Sequence, residues 1–232
     1  MRRGVKTDLH QNVDCSTMSK VAGVDEAGRG PAIGPLVVGG VLFDEKMAQE
    51  LPSMGVRDSK KLSPRRRESL EAEIMDLAEG WAFFDLQPRT IDKVVNRGVV
   101  YRKLNYLEAM AMARVIRDLA PHRAIVDPAD TVIERFVGDI RRVIPPGIQV
   151  QGESHADDIY PVVSAASILA KVRRDRFVAE LREEHGDFGS GYSSDRRTVS
   201  FLESWFEDRD DCPPFMRCSW ATVRRIRAAH SR

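Results

Sequence analysis

An α/β sandwich with a mixed central sheet is the fold class this sequence predicts, on three observations. Short apolar runs bounded by turn formers alternate with longer amphipathic stretches over residues 20–186. The first two apolar runs are separated by a Gly- and Pro-rich break, which reads as a hairpin leading into the alternating part. Beyond Gly186 the pattern changes to a Gly/Ser loop, a short helical stretch, an acidic loop and a basic helical stretch, expected to form a small C-terminal helical cap. The division this implies is a leader at 1–19, a main domain at 20–186 and the cap at 187–232.

Each element has its own warrant. Residues 21–27 (VAGVDEA) are apolar and flanked by turn formers, so they read as a buried strand. Gly28-Arg29-Gly30-Pro31 breaks it, and 36–43 (LVVGGVLF) is the second strand. Ser63-Pro64 marks a helix start, a capping hydroxyl followed by the ring that suits the first turn, and this helix should run to about Ala78. Residues 81–86 are strand-like, and 99–119 form a long amphipathic helix. A short apolar strand at 124–126 ends at Asp127-Pro128, 132–143 reads as helix, and 148–150 as another strand. The longest helical stretch is 161–184, where Ser164, Ala165, Ala166 and Ser167 permit close packing. A short helix at 198–206 and a basic helix from about Ser219 complete the tail.

The chain has 232 residues, of which 42% are hydrophobic and 31% charged, so it can bury a sizeable core and is not an acidic, solvated chain. Lys and Arg number 36 against 35 acids, a net of +1. Taken alone, that balance argues against a strongly basic, histone-like binder. Cys15, Cys212 and Cys218 are too few for a disulfide framework or a four-ligand zinc site, and an odd number suits a reducing cytosol. Cys212 and Cys218 share one loop region and are close enough in sequence to bridge, although composition favours two unpaired thiols. No run approaches the ~20 apolar residues of a membrane helix. The first 20 residues lack an apolar h-region and are expected to be a disordered leader, with Met18 as an alternative start. The expected location is cytoplasmic.

Carboxylates stand where core strands should be apolar. Asp25-Glu26 closes the first strand, and two adjacent acids there are costly unless something compensates them. Asp127 ends a second apolar strand, and Asp157 lies in Glu153-Ser154-His155-Ala156-Asp157-Asp158 just before the long helix. Singly, each acid is equally a cap, a turn residue or a salt-bridge partner. Together at one sheet edge they would repel, and divalent cations with all-oxygen ligation, Mg²⁺ or Mn²⁺, would relieve that repulsion. Two such ions about 3.5–4 Å apart stabilise the attacking and leaving oxygens of phosphodiester hydrolysis.

Four segments carry a family resemblance: DEAGRGPAIGP (25–35), VRDSKKLSPRRRE (56–68), HADDIYPVVSAASILAKVRRDR (155–176) and GSGYSSD (189–195). In that order, from about Val21 to Trp220, the chain resembles ribonuclease HII of the archaeal type. The resemblance implies a ribonuclease H-like three-layer α/β/α sandwich with a C-terminal helical cap. It also implies an endonuclease that cleaves RNA in RNA–DNA hybrids and at single ribonucleotides embedded in duplex DNA, leaving 3′-hydroxyl and 5′-phosphate ends.

By the same resemblance Asp25, Glu26, Asp127 and Asp157 are the catalytic, metal-ligating acids, with Asp158 the fallback for Asp157. The family's Lys-Ala-Asp is His155-Ala156-Asp157 here, which exchanges a permanent charge for a pH-sensitive one unless His155 is a solvated loop residue. Gly28-Arg29-Gly30 is implied to read the RNA–DNA junction, where glycines let the backbone approach a 2′-hydroxyl; alone, it would be a plain tight turn. Tyr192 is implied to stack beside the junction sugar, the alternative being a core role. Lys60 and Lys61 of the Asp58-Ser59-Lys60-Lys61 loop, and Lys171, are expected to bind phosphates. Arg65–Arg67 are a surface alternative, while Arg173, Arg174 and the Arg224, Arg225 and Arg227 helix are further candidates.

Other ribonuclease H-like nucleases (integrases, resolvases, type 1 ribonuclease H) share clustered acids but not the Gly-Arg-Gly segment. Ribonuclease HIII is disfavoured by the short leader, and a non-catalytic scaffold by the presence of all four acids. The expected partners are RNA–DNA hybrid and ribonucleotide-containing duplex, no membrane, and no second copy of the chain. The final IRAAHSR resembles no clamp-binding peptide. Two bound divalent cations would raise the net charge to roughly +5, so the +1 sum averages a site with its counter-face.

Overall fold

The computed structural model describes residues 4–5, 19–56, 62–96 and 103–230. Its strands are β1 (Gly4–Val5), β2 (Lys20–Ala27), β3 (Leu36–Asp44), β4 (Gly80–Leu86), β5 (Arg123–Val126) and β6 (Gln149–Gly152), in the spatial order β1-β4-β3-β2-β5-β6. The helices are α1 (Glu45–Glu50), α2 (Pro64–Leu77), α3 (Pro88–Val95), α4 (Lys103–Leu119), α5 (Ile133–Arg141), α6 (Ala156–Ile159), α7 (Pro161–His185), α8 (Arg196–Glu207) and α9 (Ala221–His230). β2 pairs with β5 and β5 with β6 in parallel, while β1 and β4 are antiparallel, so the sheet is mixed as the sequence predicts.

Local chemistry accounts for the boundaries. The Ser63 hydroxyl accepts from the Arg66 amide at 3.3 Å and Pro64 occupies the first turn of α2. Asp44 caps α1 by accepting from the Lys46 and Met47 amides. The sequence does not announce α1, α3 or α6, which have six, eight and four residues and are too short to show a helical period. Gly4–Val5 extends the sheet beside β4 within the segment expected to be a leader, and residues 6–18 lie outside the described residues. Among the described residues no helix is long and apolar enough to cross a membrane.

The chain divides into two compact units, neither of them a single stretch of sequence. The first comprises Met1–Ala27, Val38–Phe84 and Asn105–Val172; the second comprises Gly28–Val37, Asp85–Leu104 and Arg173–Arg232. Gly28–Val37 thus groups with the C-terminal residues rather than with the strands on either side of it in sequence.

In the first unit, two neighbouring glycines show how the layers are built. Successive strand residues face opposite sides of a sheet. A Cβ on Gly39 would lie 3.1 Å from Ala170 of α7, whereas one on Gly40 would overlap Val115 and come within 3.0 Å of Leu119 of α4. Helix α7 thus covers one face and α4 the other. Val41 and Phe43 of β3 and Ile125 of β5 pack with Leu70 and Ile74 of α2 and with the apolar side of α7. The core of the second unit joins Ala32 and Ile33 to Phe188, Leu202, Met216 and Ile226.

Candidate active site

The parallel register of β2 and β5 ends with Val24 opposite Val126, so Asp25 and Asp127 follow at the carboxyl ends of adjacent strands. The β5–β6 register ends with Val126 opposite Gly152, and α6, which carries Asp157 in its first turn, begins four residues later. The acids therefore gather at the edge where parallel α/β sheets commonly present their sites.

Their environment is not that of surface acids. Asp25 is 7% exposed and Asp157 3%, while Glu26 is half-buried. Burial first, then the charges of Asp127 and Asp157, push the Asp25 carboxyl up to about 7, against the opposing bonds from Ser167 and the Glu26 amide. The Glu26 N–H donates to Asp25 Oδ1 at 2.7 Å. Asp127 is pushed up to about 6 by burial and then by the charge of Asp157, opposed by the backbone N–H of His155 and raised further by a side-chain hydrogen bond with Asp157. His155 holds a left-handed backbone, φ 57°, and its side chain is exposed, so its principal hold on Asp127 runs through the peptide. Asp158 is exposed, which makes Asp157 the inward member of the pair. Ser167, read from sequence only as a small packing residue, is the side chain that bonds Asp25; its signal was a polar residue inside a buried helical run.

An all-carboxylate donor set, in which neighbouring acids raise the proton affinity of Asp25 and Asp127, suits hard divalent cations. Among the described residues, the ligand atoms that lie within 4.8 Å of one another belong to Asp92, Cys212 and Cys218, and the four acids are spread more widely. At Asp92 the donor set is already used. The two carboxylate oxygens accept from the Cys218 amide at 2.7 Å and from the Ser219 amide and hydroxyl at 2.9 and 2.5 Å. Cys212 and Cys218 form a disulfide, Cα atoms 6.3 Å apart, rather than the two unpaired thiols favoured by composition; the fold brings the ends of one short turn together.

The other expected residues fall in the second unit, apart from the lysines. Gly28 is buried with φ 85°, Arg29 is half-buried and Gly30 exposed. Tyr192 is 39% exposed and fills no core. Its loop is tied to the Gly-Arg-Gly segment because the Gly191 carbonyl accepts from the amides of Ala32 and Ile33 at 2.8 and 3.3 Å. Lys171 lies half-buried on α7. Lys60 and Lys61 lie outside the described residues. Of the additional basic candidates, Arg174 is 3% exposed and Arg173 pairs bidentately with Asp85 at 2.8 and 2.6 Å, so neither guanidinium is an open phosphate contact. Arg67 is likewise buried and donates to the Leu62 carbonyl at 2.6 Å, while Arg224, Arg225 and Arg227 are exposed on α9.

A three-layer α/β fold with acids gathered at the carboxyl ends of its parallel strands is the arrangement expected of a nuclease of the ribonuclease H class. The profile of the family described as Ribonuclease HII matches residues 22–223. A ribonuclease HII of Cenarchaeum symbiosum is 47% identical over 208 residues, covering 90% of this chain and 98% of that protein. The crystal structure of ribonuclease H2 from Pyrococcus horikoshii OT3 superposes with a TM-score of 0.84 at 41% identity, covering 91% of this chain and 98% of that one. The PCNA:RNase HII complex from Archaeoglobus fulgidus gives 0.78 at 40% identity, covering 89% and 96%. The chain belongs to the ribonuclease HII family and is a ribonuclease H hydrolase.

Proposed function

We propose that this endoribonuclease hydrolyses the RNA strand of RNA–DNA hybrids and nicks duplex DNA at single embedded ribonucleotides. Its products are 3′-hydroxyl and 5′-phosphate ends. Asp25, Glu26, Asp127 and Asp157 are the residues that would hold two divalent cations, Mg²⁺ or Mn²⁺, and ions bound there would supply an activated water and stabilise the leaving oxygen. The observation that carries the reading is the convergence of Asp25 and Asp127, at the carboxyl ends of adjacent parallel strands, with the buried Asp157 within hydrogen-bonding reach of Asp127. Gly28, Arg29 and Gly30 read the ribonucleotide, Tyr192 offers a stacking face, and Lys60, Lys61 and Lys171 position the phosphates.

The test is a DNA duplex with one ribonucleotide, incubated with Mg²⁺ or Mn²⁺. A nick on the 5′ side of the ribonucleotide is expected, and an intact duplex would overturn the reading. Full activity in Asp127→Asn would refute the metal-site assignment. Cleavage indifferent to the 2′-hydroxyl would refute the reading of the ribonucleotide by Gly28, Arg29 and Gly30.

A further inference from the structure

Arg217 is a fully buried cation whose guanidinium is spent on backbone carbonyls. Its Nη2 donates to the Gly28 carbonyl at 2.5 Å, its Nη1 to the Arg29 carbonyl at 2.6 Å, and its Nε and Nη2 to the Gly34 carbonyl at 3.1 and 3.0 Å. The next carbonyl in the segment, that of Gly30, accepts from Trp220 Nε1 at 3.0 Å, and the Arg217 guanidinium lies 5.0 Å from the Trp220 ring centroid. Burying a cation is costly, and a guanidinium is the side chain whose planar fork can serve several carbonyls at once.

We infer that Arg217 and Trp220 are positioning residues that set the Gly-Arg-Gly backbone for recognition of the ribonucleotide. In a trans peptide the N–H points opposite to the C=O. Drawing the Gly28 and Arg29 carbonyls towards Arg217 therefore turns the amides of Arg29 and Gly30 away from it. A carbonyl bonded to a cation also polarises its own peptide and strengthens that N–H as a donor. The clamp is itself anchored. The Arg217 amide donates to the Ala32 carbonyl at 2.8 Å, Met216 bridges Ile33, and Asp92 binds the amides of Cys218 and Ser219.

The inference rests on the proposal that Gly-Arg-Gly reads the ribonucleotide, and its test separates the two. Binding of an all-DNA duplex and of the same duplex with one ribonucleotide is measured with Mg²⁺ in the Asp127→Asn background, and the ratio of the two Kd values is the readout. Arg217→Lys and Trp220→Phe are each expected to lower that ratio at least threefold. A merely structural role would reduce the folded fraction, weaken both duplexes alike and leave the ratio unchanged. A parent ratio of one refutes the reading of Gly-Arg-Gly. A parent ratio above one that both folded variants retain refutes the role of Arg217 and Trp220. If Arg217→Lys does not fold, Trp220→Phe decides alone.

Discussion

The guanidinium of Arg174 lies 5.4 Å from the ring centroid of Tyr192, and its Nη2 donates to the Ser190 carbonyl at 3.3 Å. A buried arginine thus packs against a ring that is itself 39% exposed. If the ring works by stacking, Tyr192→Phe should nick the one-ribonucleotide duplex at close to the parental rate. Tyr192→Ala should lose roughly 5–150-fold in kcat/KM, the worth of about 1–3 kcal/mol of base–aromatic stacking. Equal losses in both variants would assign the work to the hydroxyl.

Much of this architecture was legible because several signals agreed. Ser63-Pro64 marked the start of α2, and acids at the ends of apolar runs marked the strand edge. Arg217 was not legible. Its carbonyl partners lie 183 to 189 residues away in sequence, and nothing in a local pattern distinguishes a buried arginine from a solvated one. Arg174 shows the same limit, since it reads as one more basic residue on a helix and is interior. Gly39-Gly40 lies inside the strand read at 36–43 with no local signal of its use, and the structure employs its two missing side chains to admit α7 and α4 on opposite faces.

Gly28 is constrained twice, by its positive φ and by its neighbours. A Cβ there would lie 2.5 Å from Arg174 Nε and 2.8 Å from the Pro35 carbonyl oxygen. Gly28→Ala is expected to cost roughly 2–4 kcal/mol, from left-handed strain plus overpacking. Gly186→Ala, at φ 91° with nothing within 4 Å of the new Cβ, should cost only the strain, roughly 1–2 kcal/mol. Urea titration of the two variants separates these contributions. Equal losses would mean that Arg174 moves aside freely.

The disulfide can be counted directly. Of the cysteines Cys15, Cys212 and Cys218, the unfolded but unreduced protein should offer one titratable thiol, and the reduced protein three. Closure of so short a loop is worth roughly 2 kcal/mol in the chain-entropy account, so reduction should lower the denaturant midpoint. Three thiols before reduction would show that the bridge does not form in solution.

The acid cluster makes metal-free stability depend on pH with a definite sign. Asp25 and Asp127 are pushed up to about 7 and about 6, so the folded protein retains protons that the unfolded chain releases from about pH 4 upward. Their contribution to stability is fully present below the unfolded values, is lost as pH rises through 6 and 7, and levels off beyond. A bound divalent cation replaces those protons, so added Mn²⁺ should raise Tm more at pH 8 than at pH 5. Asp25→Asn removes the penalty. Without metal at pH 8 it should melt several degrees above the parent, since 1 kcal/mol is worth about 2–4 °C in a chain of this size, and its Mn²⁺ response should shrink. Comparing parent and variant by thermal melts at pH 5 and 8 isolates Asp25 from the other titrating groups. A parent that melts above Asp25→Asn at pH 8 without metal would mean that the ionised carboxylate is already compensated by the protein, and the case for cations at this edge would lose its electrostatic basis.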